Sequence, residues 1–591
     1  MTTPLKNISC RRCQSRKIRC DRVAPRCDKC ESIGAECTYV PRKPRTKKQA
    51  SDTNENGVLS DVLRRLERLE DRWGLEKSPD INDHGDIPTS LSSSNIDQPL
   101  CSDNSHAPTI PSVIESILSR IKDPQSRALL FSNVFSHLRT VESSFFENER
   151  CTGAIAAAMS EIEYLQNAAA DPTPTIPEIP KEATRSFIQN YYECYQFEGF
   201  KIPLEKGFLL SIPDLLDNPH VQLDYTSQII YHTIRLQGII LDPRPYKDNG
   251  SLIRHLYRKC LALSDFWLEN IQNAYPDLFV AVLMTSMALE ACDSDVAWKM
   301  LGHACKIAKA LGYFSVDGNP EGTDGQPPLT ERLNINEIET DKNRKRFEFW
   351  HLLRTDCLFR LSFGKPTLMP AGSWKVNFPD PTITGIDDEG SRFIQIHFLA
   401  SMRQALVVLK YLDWMDLAPD LDPVLHDATI DSFLQEVQLI MSDWNTDELV
   451  RMAKTQVDTW FCVDMVFSSY KFLVVLHQSK KCNQNRHKLP PQSVDISRKS
   501  VQMFQSIVGS SLHAFWGISL ILLHQFIPFF ILCLDIIGNP ERPGIEADII
   551  SVTWISDYVQ KMVEERTELT PVMIIMKAMV LACHRGRSCP S

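Results

Sequence analysis

Residues 10–37 read CRRCQSRKIRCDRVAPRCDKCESIGAEC. Six cysteines fall in this stretch: Cys10, Cys13, Cys20, Cys27, Cys30 and Cys37. Adding 17 to each of the first three numbers gives the last three, so the segment is an internal two-fold repeat. Zinc takes four tetrahedral ligands, and thiolates serve well. Two zinc ions need eight ligand positions, and six sulfurs fill them if two are shared, one from each half. Cys10, Cys13, Cys27 and Cys30 alone could form a four-cysteine site, but Cys20 and Cys37 would then stand at equivalent positions without a purpose. A metal buffer accounts for the sulfurs but not for the cations among them.

Those cations are concentrated. Residues 1–48 hold 14 Lys and Arg against four acids, a charge of +10 with neutral thiols, while the whole chain carries −10. The remaining residues therefore carry −20. A basic end on an acidic body points to a polyanion-binding module joined to something else. The other 12 cysteines, from Cys101 to Cys589, are scattered singly. Met1–Ser9 has no apolar run, so no signal peptide is expected. A reducing compartment follows, and there clustered cysteines are metal ligands rather than bridges.

Composition shifts divide the rest. The basic module spans 1–48, with PRKPRTKKQ at its end as a phosphate grip and nuclear import signal; 49–57 is a linker. In 58–74, Leu59, Val62, Leu66, Leu69 and Trp73 alternate at steps of three and four, an a/d seam of about two heptads. Arg65 and Glu70 stand where they can pair across a parallel homodimer. Residues 75–111, rich in Ser, Asp, Asn and Pro, read as disordered linker. Residues 112–591 read as a large all-α domain, with Ala297, Leu301, Ala304, Ala308 and Leu311 on one helix face and Gly312 as its C-terminal cap. The fold class is thus mostly α: a small zinc head, a short coiled coil, a linker and a helical body. GISLILLHQFIPFFILCLDIIG, 517–538, contains His524, Gln525, Pro528 and Asp535; it reads as a buried helix pair broken at Pro528, and no membrane span is expected. There is no GxxxxGK[ST], GxGxxG, GxSxG or HExxH, so no enzyme is expected. The terminal CHRGRSC reads as incidental, and His303, Cys305 and His351 as core or rim packing.

The cysteine pattern resembles the fungal zinc binuclear cluster transcription factors over residues 10–37. From the residues themselves, a short helix is expected at Gln14–Arg19, too short to survive without metal. Long cations on it, Arg16 and Lys17, suit the O6 and N7 acceptors of guanine. Arg11, Arg12, Arg19, Arg22 and Arg26 suit phosphate, which supplies affinity without sequence information. The resemblance implies that the first helix tip enters the major groove of double-stranded DNA, that Arg16 and Lys17 read a CGG-like triplet, and that Cys10 and Cys27 are the shared sulfurs. It also implies a role for Pro25 between the halves and nuclear localisation. Gln14 departs from the pattern, since many members carry Arg or Lys there; Arg11 and Arg12 can compensate.

Residues 293–381 resemble the fungus-specific regulatory domain that accompanies this cluster. The matching pieces are Asn343–Arg346, Phe349–Trp350, Asp356–Cys357 and Gly364–Lys365–Pro366, with Cys357 where arginine is usual. Trp298, Phe347, Trp350, Leu353, Leu358 and Leu361 are expected in its core, with a small-molecule pocket as the lesser reading. The combined reading is a sequence-specific regulator of RNA polymerase II genes of a metabolic or secondary-metabolite pathway, with a small-molecule effector or coregulator as a further partner. The alternative is a metabolite-sensing or scaffold protein in which DNA binding is secondary.

If Lys17 reads a base, Lys17→Ala costs about 1–3 kcal/mol on a CGG-containing duplex and far less on scrambled DNA. Equal losses on both in a titration would remove it from base readout.

Overall fold

The structure, a computed structural model, describes residues 10–38 except 17–19 and 22–25. It also describes residues 149–585, leaving out chiefly 169–178, 195–199, 243–248, 319–334, 381–388, 418–421, 449–455, 481–488 and 509–523. The chain divides into two units, residues 1–91 and 92–591. All regular structure among the described residues is helical. The expected coiled coil at 58–74 and the linkers at 49–57 and 75–111 lie outside the described residues.

In the first unit, α1 (Arg11–Ser15) and α2 (Asp28–Glu31) each carry the second cysteine of a Cys-x-x-Cys pair. The first helix therefore begins earlier than the expected Gln14–Arg19. The cause is local: Cys13 N donates to Cys10 Sγ at 3.4 Å, so the sulfur starts the turn as a capping oxygen would. In the second half Cys27 caps α2, and Cys30 N and Glu31 N donate to Cys27 O. The turn after α2 closes with Ala35 N donating to Cys30 O at 2.9 Å, and Gly34 there has φ of 61°. Arg11 N donates to Thr38 O at 2.9 Å, joining the two ends of the head. The core of this unit is sulfur: Cys10, Cys13, Cys20, Cys27 and Cys30 are buried and Cys37 packs against them.

The second unit is an array of helices, most of them packed on a chain neighbour. It begins with α3 (Glu149–Ala168), α4 (Lys181–Cys194), α5 (Lys206–Leu215), α6 (Tyr225–Ile240), α7 (Asn249–Glu269), α8 (Tyr275–Glu290) and α9 (Ser294–Ala310). It continues with α10 (Ile335–Phe363), α11 (Glu389–Leu417), α12 (Pro423–Asp443), α13 (Gln456–Gln478), α14 (Pro491–Val508), α15 (Phe526–Gly538), α16 (Ile545–Val563) and α17 (Thr570–Arg585). The first of these, α3, lies against the last, α17.

Two helices are buried nearly all round, α8 with mostly apolar residues and α6 with His232, Thr233, Arg235 and Gln237 among its buried side chains. In α6 every residue from Ile229 to Ile240 is buried, and in α8 so is every residue from Asp277 to Thr285. Capping follows the sequence: Asp224 accepts from Ser227 N, Asp293 from Val296 N, and Asp422 from Val424 N. The expected face of α9 is buried at Ala297, Leu301, Ala304 and Ala308. Gly312 follows with φ of 78°, the left-handed cap its position calls for.

The long helix α10 fastens the segment after it. Asn343 and Asp380 exchange hydrogen bonds, Asn343 Nδ2 to Asp380 O at 2.8 Å and Asp380 N to Asn343 Oδ1 at 2.7 Å. Arg346 pairs with Asp317, which also accepts from Asn377 N. Trp350 Nε1 donates to Asn377 O at 2.9 Å while its ring stacks on Phe378 with centroids 4.4 Å apart. Buried Asp356 accepts from Thr367 Oγ1, Leu368 N and Met369 N. The pieces that carry the second resemblance are therefore the points at which this segment is held.

Of the expected core residues, Trp350, Leu353 and Leu361 are buried, while Trp298, Phe347 and Leu358 are half-buried. Leu358 and Leu361 border a partly open pocket of about 250 Å³. Cys305 is buried and His303 half-buried, as expected of packing.

The apolar stretch differs from its expectation. Helix α15 runs from Phe526 through Pro528 without a break. A π-helical turn at His524 and Gln525 leads directly into it, so the irregularity falls just ahead of the proline rather than at it. Residues 517–523 lie outside the described residues. Among the described residues no helix is long and apolar enough to cross a membrane.

Helices α4 and α6 cross at Gly238, where a Cβ would stand 1.9 Å from Phe187 O. Gly238→Ala forces the helices apart and costs about 1–3 kcal/mol by the usual scale of overpacking. Urea unfolding of the full chain measures it, and an unchanged midpoint would contradict so close a crossing.

Candidate metal centre and nucleic-acid interface

The six cysteines form one cluster. Two groups of four have all their sulfurs within 4.8 Å of one another: Cys10, Cys27, Cys30 and Cys37, and Cys10, Cys13, Cys20 and Cys27. The groups share Cys10 and Cys27, one residue from each half of the repeat. Cys10 Sγ lies 3.7 Å from Cys27 Sγ and 3.6 Å from Cys30 Sγ, and Cys13 Sγ lies 3.7 Å from Cys27 Sγ. A disulfide needs about 2.05 Å, so these are not bridges. A zinc–sulfur bond of about 2.3 Å gives a tetrahedron with edges of about 3.8 Å. The sulfur spacings fit that edge, so the donor set suits two tetrahedral ions.

The electrostatics of the cluster call for a cation. Burial and the neighbouring sulfurs push the Cys10, Cys13, Cys27 and Cys30 thiols up. Cys37 is lowered, because Cys27 N donates to its Sγ at 3.3 Å. Six thiolates at these distances repel one another strongly, and a divalent ion that displaces their protons removes the cost. Arg12 adds a weaker cation at the edge, its Nη1 3.9 Å from Cys30 Sγ and 3.5 Å from Lys29 O. The carboxylate of Asp21 caps the second helix, accepting from Asp28 N at 3.1 Å, which holds Asp21 below the usual carboxylate range.

The arginines fall into three sets. Arg11, Arg16 and Arg26 are exposed, with Arg16 in the turn that closes α1, its N donating to Arg12 O. Arg12 is half-buried and turned toward the second half of the repeat. Lys17, Arg19, Arg22 and Pro25 lie outside the described residues. The capping role of Asp21 and the bridging role of Arg12 were missed in the sequence. The first was signalled faintly by an aspartate just ahead of a Cys-x-x-Cys turn; the second had no local signal.

Comparison with known proteins agrees with the chemistry. Residues 8–47 match the model of the fungal Zn(2)-Cys(6) binuclear cluster domain. Similar proteins include the transcription factor tazR of Aspergillus terreus, 32% identical over 132 residues, which is 20% of this chain and 19% of that one. Another is the pyrrolocin cluster transcription factor fsdR of a fungal species (strain NRRL 50135), 37% identical over 73 residues, 11% of this chain and 9% of that one. The chain thus aligns with about a fifth of the first relative's length and under a tenth of the second's. The head is a Zn(2)-Cys(6) domain, and that domain binds two zinc ions.

Elemental analysis of the purified chain is expected to return two zinc ions per polypeptide with all six head thiols alkylated after chelation. One ion per chain, or thiols that react only after a reductant, would contradict the fit of the cluster.

Proposed function

We propose that this protein is a sequence-specific, DNA-binding transcription factor that acts in the nucleus and is not an enzyme. The observation that carries the reading is the pair of sulfur tetrads with cations around them, a rigid fold that metal alone can stabilise at this size. The shared sulfurs are assigned to Cys10 and Cys27, and the terminal ones to Cys13, Cys20, Cys30 and Cys37. Arg16 and Lys17, at and beyond the end of α1, present donors to guanine edges of a CGG-like half-site in the major groove. Arg11, Arg19, Arg22 and Arg26 hold phosphate. Arg12 shares that work while its Nη1 braces the two halves.

The seam at 58–74 brings two heads together as a homodimer, so that half-site spacing becomes part of recognition. The segment 75–111 is a linker, and the helical body regulates output in answer to a small molecule or a coregulator. Transcription-factor relatives, one of them named for a biosynthetic cluster, support a target pathway in secondary metabolism.

Shared sulfurs have a distinctive consequence. Cys10→Ser strips a ligand from both tetrads and is expected to abolish specific binding in a gel shift on a CGG-containing duplex. Lys29→Ala, outside the cluster, is expected to change it by less than about 0.5 kcal/mol. For the intact chain, log affinity falls linearly with log salt, as release of phosphate counterions requires. Wild-type affinity equal on CGG-containing and scrambled duplexes would overturn the reading.

A further inference from the structure

The helical body contains a partly open pocket of about 250 Å³ between α8, α10, α11 and α13. That is roughly the space of eight liquid waters, a little below the usual range for drug-sized sites. Its walls are of two kinds. Leu358 and Leu361 of α10 and Val408 of α11 give an apolar side. The other side carries ionisable groups, which is unusual for a void left over from helix packing, since such voids are apolar.

The polar wall is a built network. Arg354 and His524 both engage Asp464, the histidine through Nε2 at 2.8 Å from Oδ1. Asp464 is thereby the counter-charge of Arg354. Lys471, about two helical turns further along α13, is 1% exposed and donates from Nζ to Ser362 Oγ at 2.5 Å. Burial pulls Lys471 down to about 7, with Asp464 opposing. His524 is 1% exposed, and burial lowers its pKa, so the ring is neutral; Nε2 carries the proton it donates to Asp464. Its other nitrogen, Nδ1, is then an acceptor, and it has no hydrogen-bond partner in the structure. A buried acceptor left in that state costs about 1–3 kcal/mol unless something donates to it.

The geometry points to this cavity as the site of a small amphipathic hydroxycarboxylate, its carboxylate at Lys471, its hydroxyl donating toward His524 and its apolar body along Leu358, Leu361 and Val408. A carboxylate offsets the cost of burying the lysine's charge, and the hydroxyl satisfies the ring nitrogen. Glu290, half-buried on the same wall, disfavours a second acidic group and so a dicarboxylate. Residues from α10, α11 and α13 all line this pocket, so an occupant touches the three helices together. The inference deepens the effector role proposed above and rests on it for its regulatory meaning, but not for binding.

The test uses the full zinc-loaded chain and 2-hydroxy-3-phenylpropanoate as probe, by calorimetry. Saturable binding is expected, weakened roughly 10- to 100-fold for the methyl ester, which lacks the charge, and by a similar factor in Lys471→Met. Lys471→Met removes a buried charge and keeps the volume, so it is expected to fold. Val408→Phe, which fills the apolar side and leaves the lysine in place, is expected to abolish binding. No saturation up to about 10 mM, an affinity weaker than about −2.7 kcal/mol, overturns the site. So does equal affinity for acid and ester. The same samples are assayed on the CGG-containing duplex: DNA binding without acid binding sinks the cavity assignment alone. Acid binding that leaves reporter transcription unchanged sinks the effector role alone.

Discussion

Six sulfurs held at the edge length of a metal tetrahedron are the constraint on which the amino-terminal head depends. Its two helices are five and four residues long. Helices of that length do not persist alone in water, because the first turn fixes several residues for one hydrogen bond. No aliphatic side chain joins the cluster core among the described residues. What remains is coordination: each helix begins at a cysteine, carries the next one, and is fixed once both sulfurs are held. Folding and metal binding in this head are the same event, which is why its sequence can spend its other positions on arginine and lysine.

The helical body depends on a different economy, in which buried ionisable groups are tied to backbone rather than to metal. Helix α10 shows it most clearly. Asn343, Arg346, Trp350 and Asp356 each reach across to the chain between 365 and 380 or to Asp317, and each meets a backbone amide or carbonyl or a carboxylate. A segment without helix or strand has no internal ladder to satisfy its polar groups, so a neighbour must do it. Glu348 is satisfied differently, wholly buried and accepting from the side chains of Tyr275, Tyr313 and Arg344. Desolvation pushes its carboxyl up, and three donors oppose that. Asp356, with two backbone amides and a hydroxyl, is the same device.

What could be read from the sequence was whatever is written locally. The cysteine repeat was legible because coordination imposes short fixed spacings, and the tetrads follow it. Gly312 was legible because only a left-handed residue closes a helix in that way, and Ala297, Leu301, Ala304 and Ala308 because helical periodicity puts them on one face. Two local features were misplaced for reasons equally local. The first helix starts at Arg11 because a sulfur caps it, which residue propensity does not express. The irregularity expected at Pro528 is a π-helical turn at His524 and Gln525, and α15 continues through the proline. A pocket was legible only on its apolar side, at Leu358 and Leu361, and there only as the lesser reading. Arg354, Asp464, Lys471 and His524 come from three separated stretches, and each taken singly is an ordinary residue on a helix.

The division of charge connects the two units without reference to how they sit. The head carries +10 with neutral thiols, the remainder −20. Two divalent ions and six thiolates add −2 to the head, which stays basic. A polyanion is attracted by the charge of the head and repelled by the net charge of the rest. The body is left free to bury charge for other purposes. A lysine kept fully buried beside a partly open pocket is stable only because helix packing holds it there, and an occupant that matches its charge changes the free energy of that packing. Coupling of this kind needs no contact between ligand and DNA; it needs a body whose helix arrangement depends on what fills it.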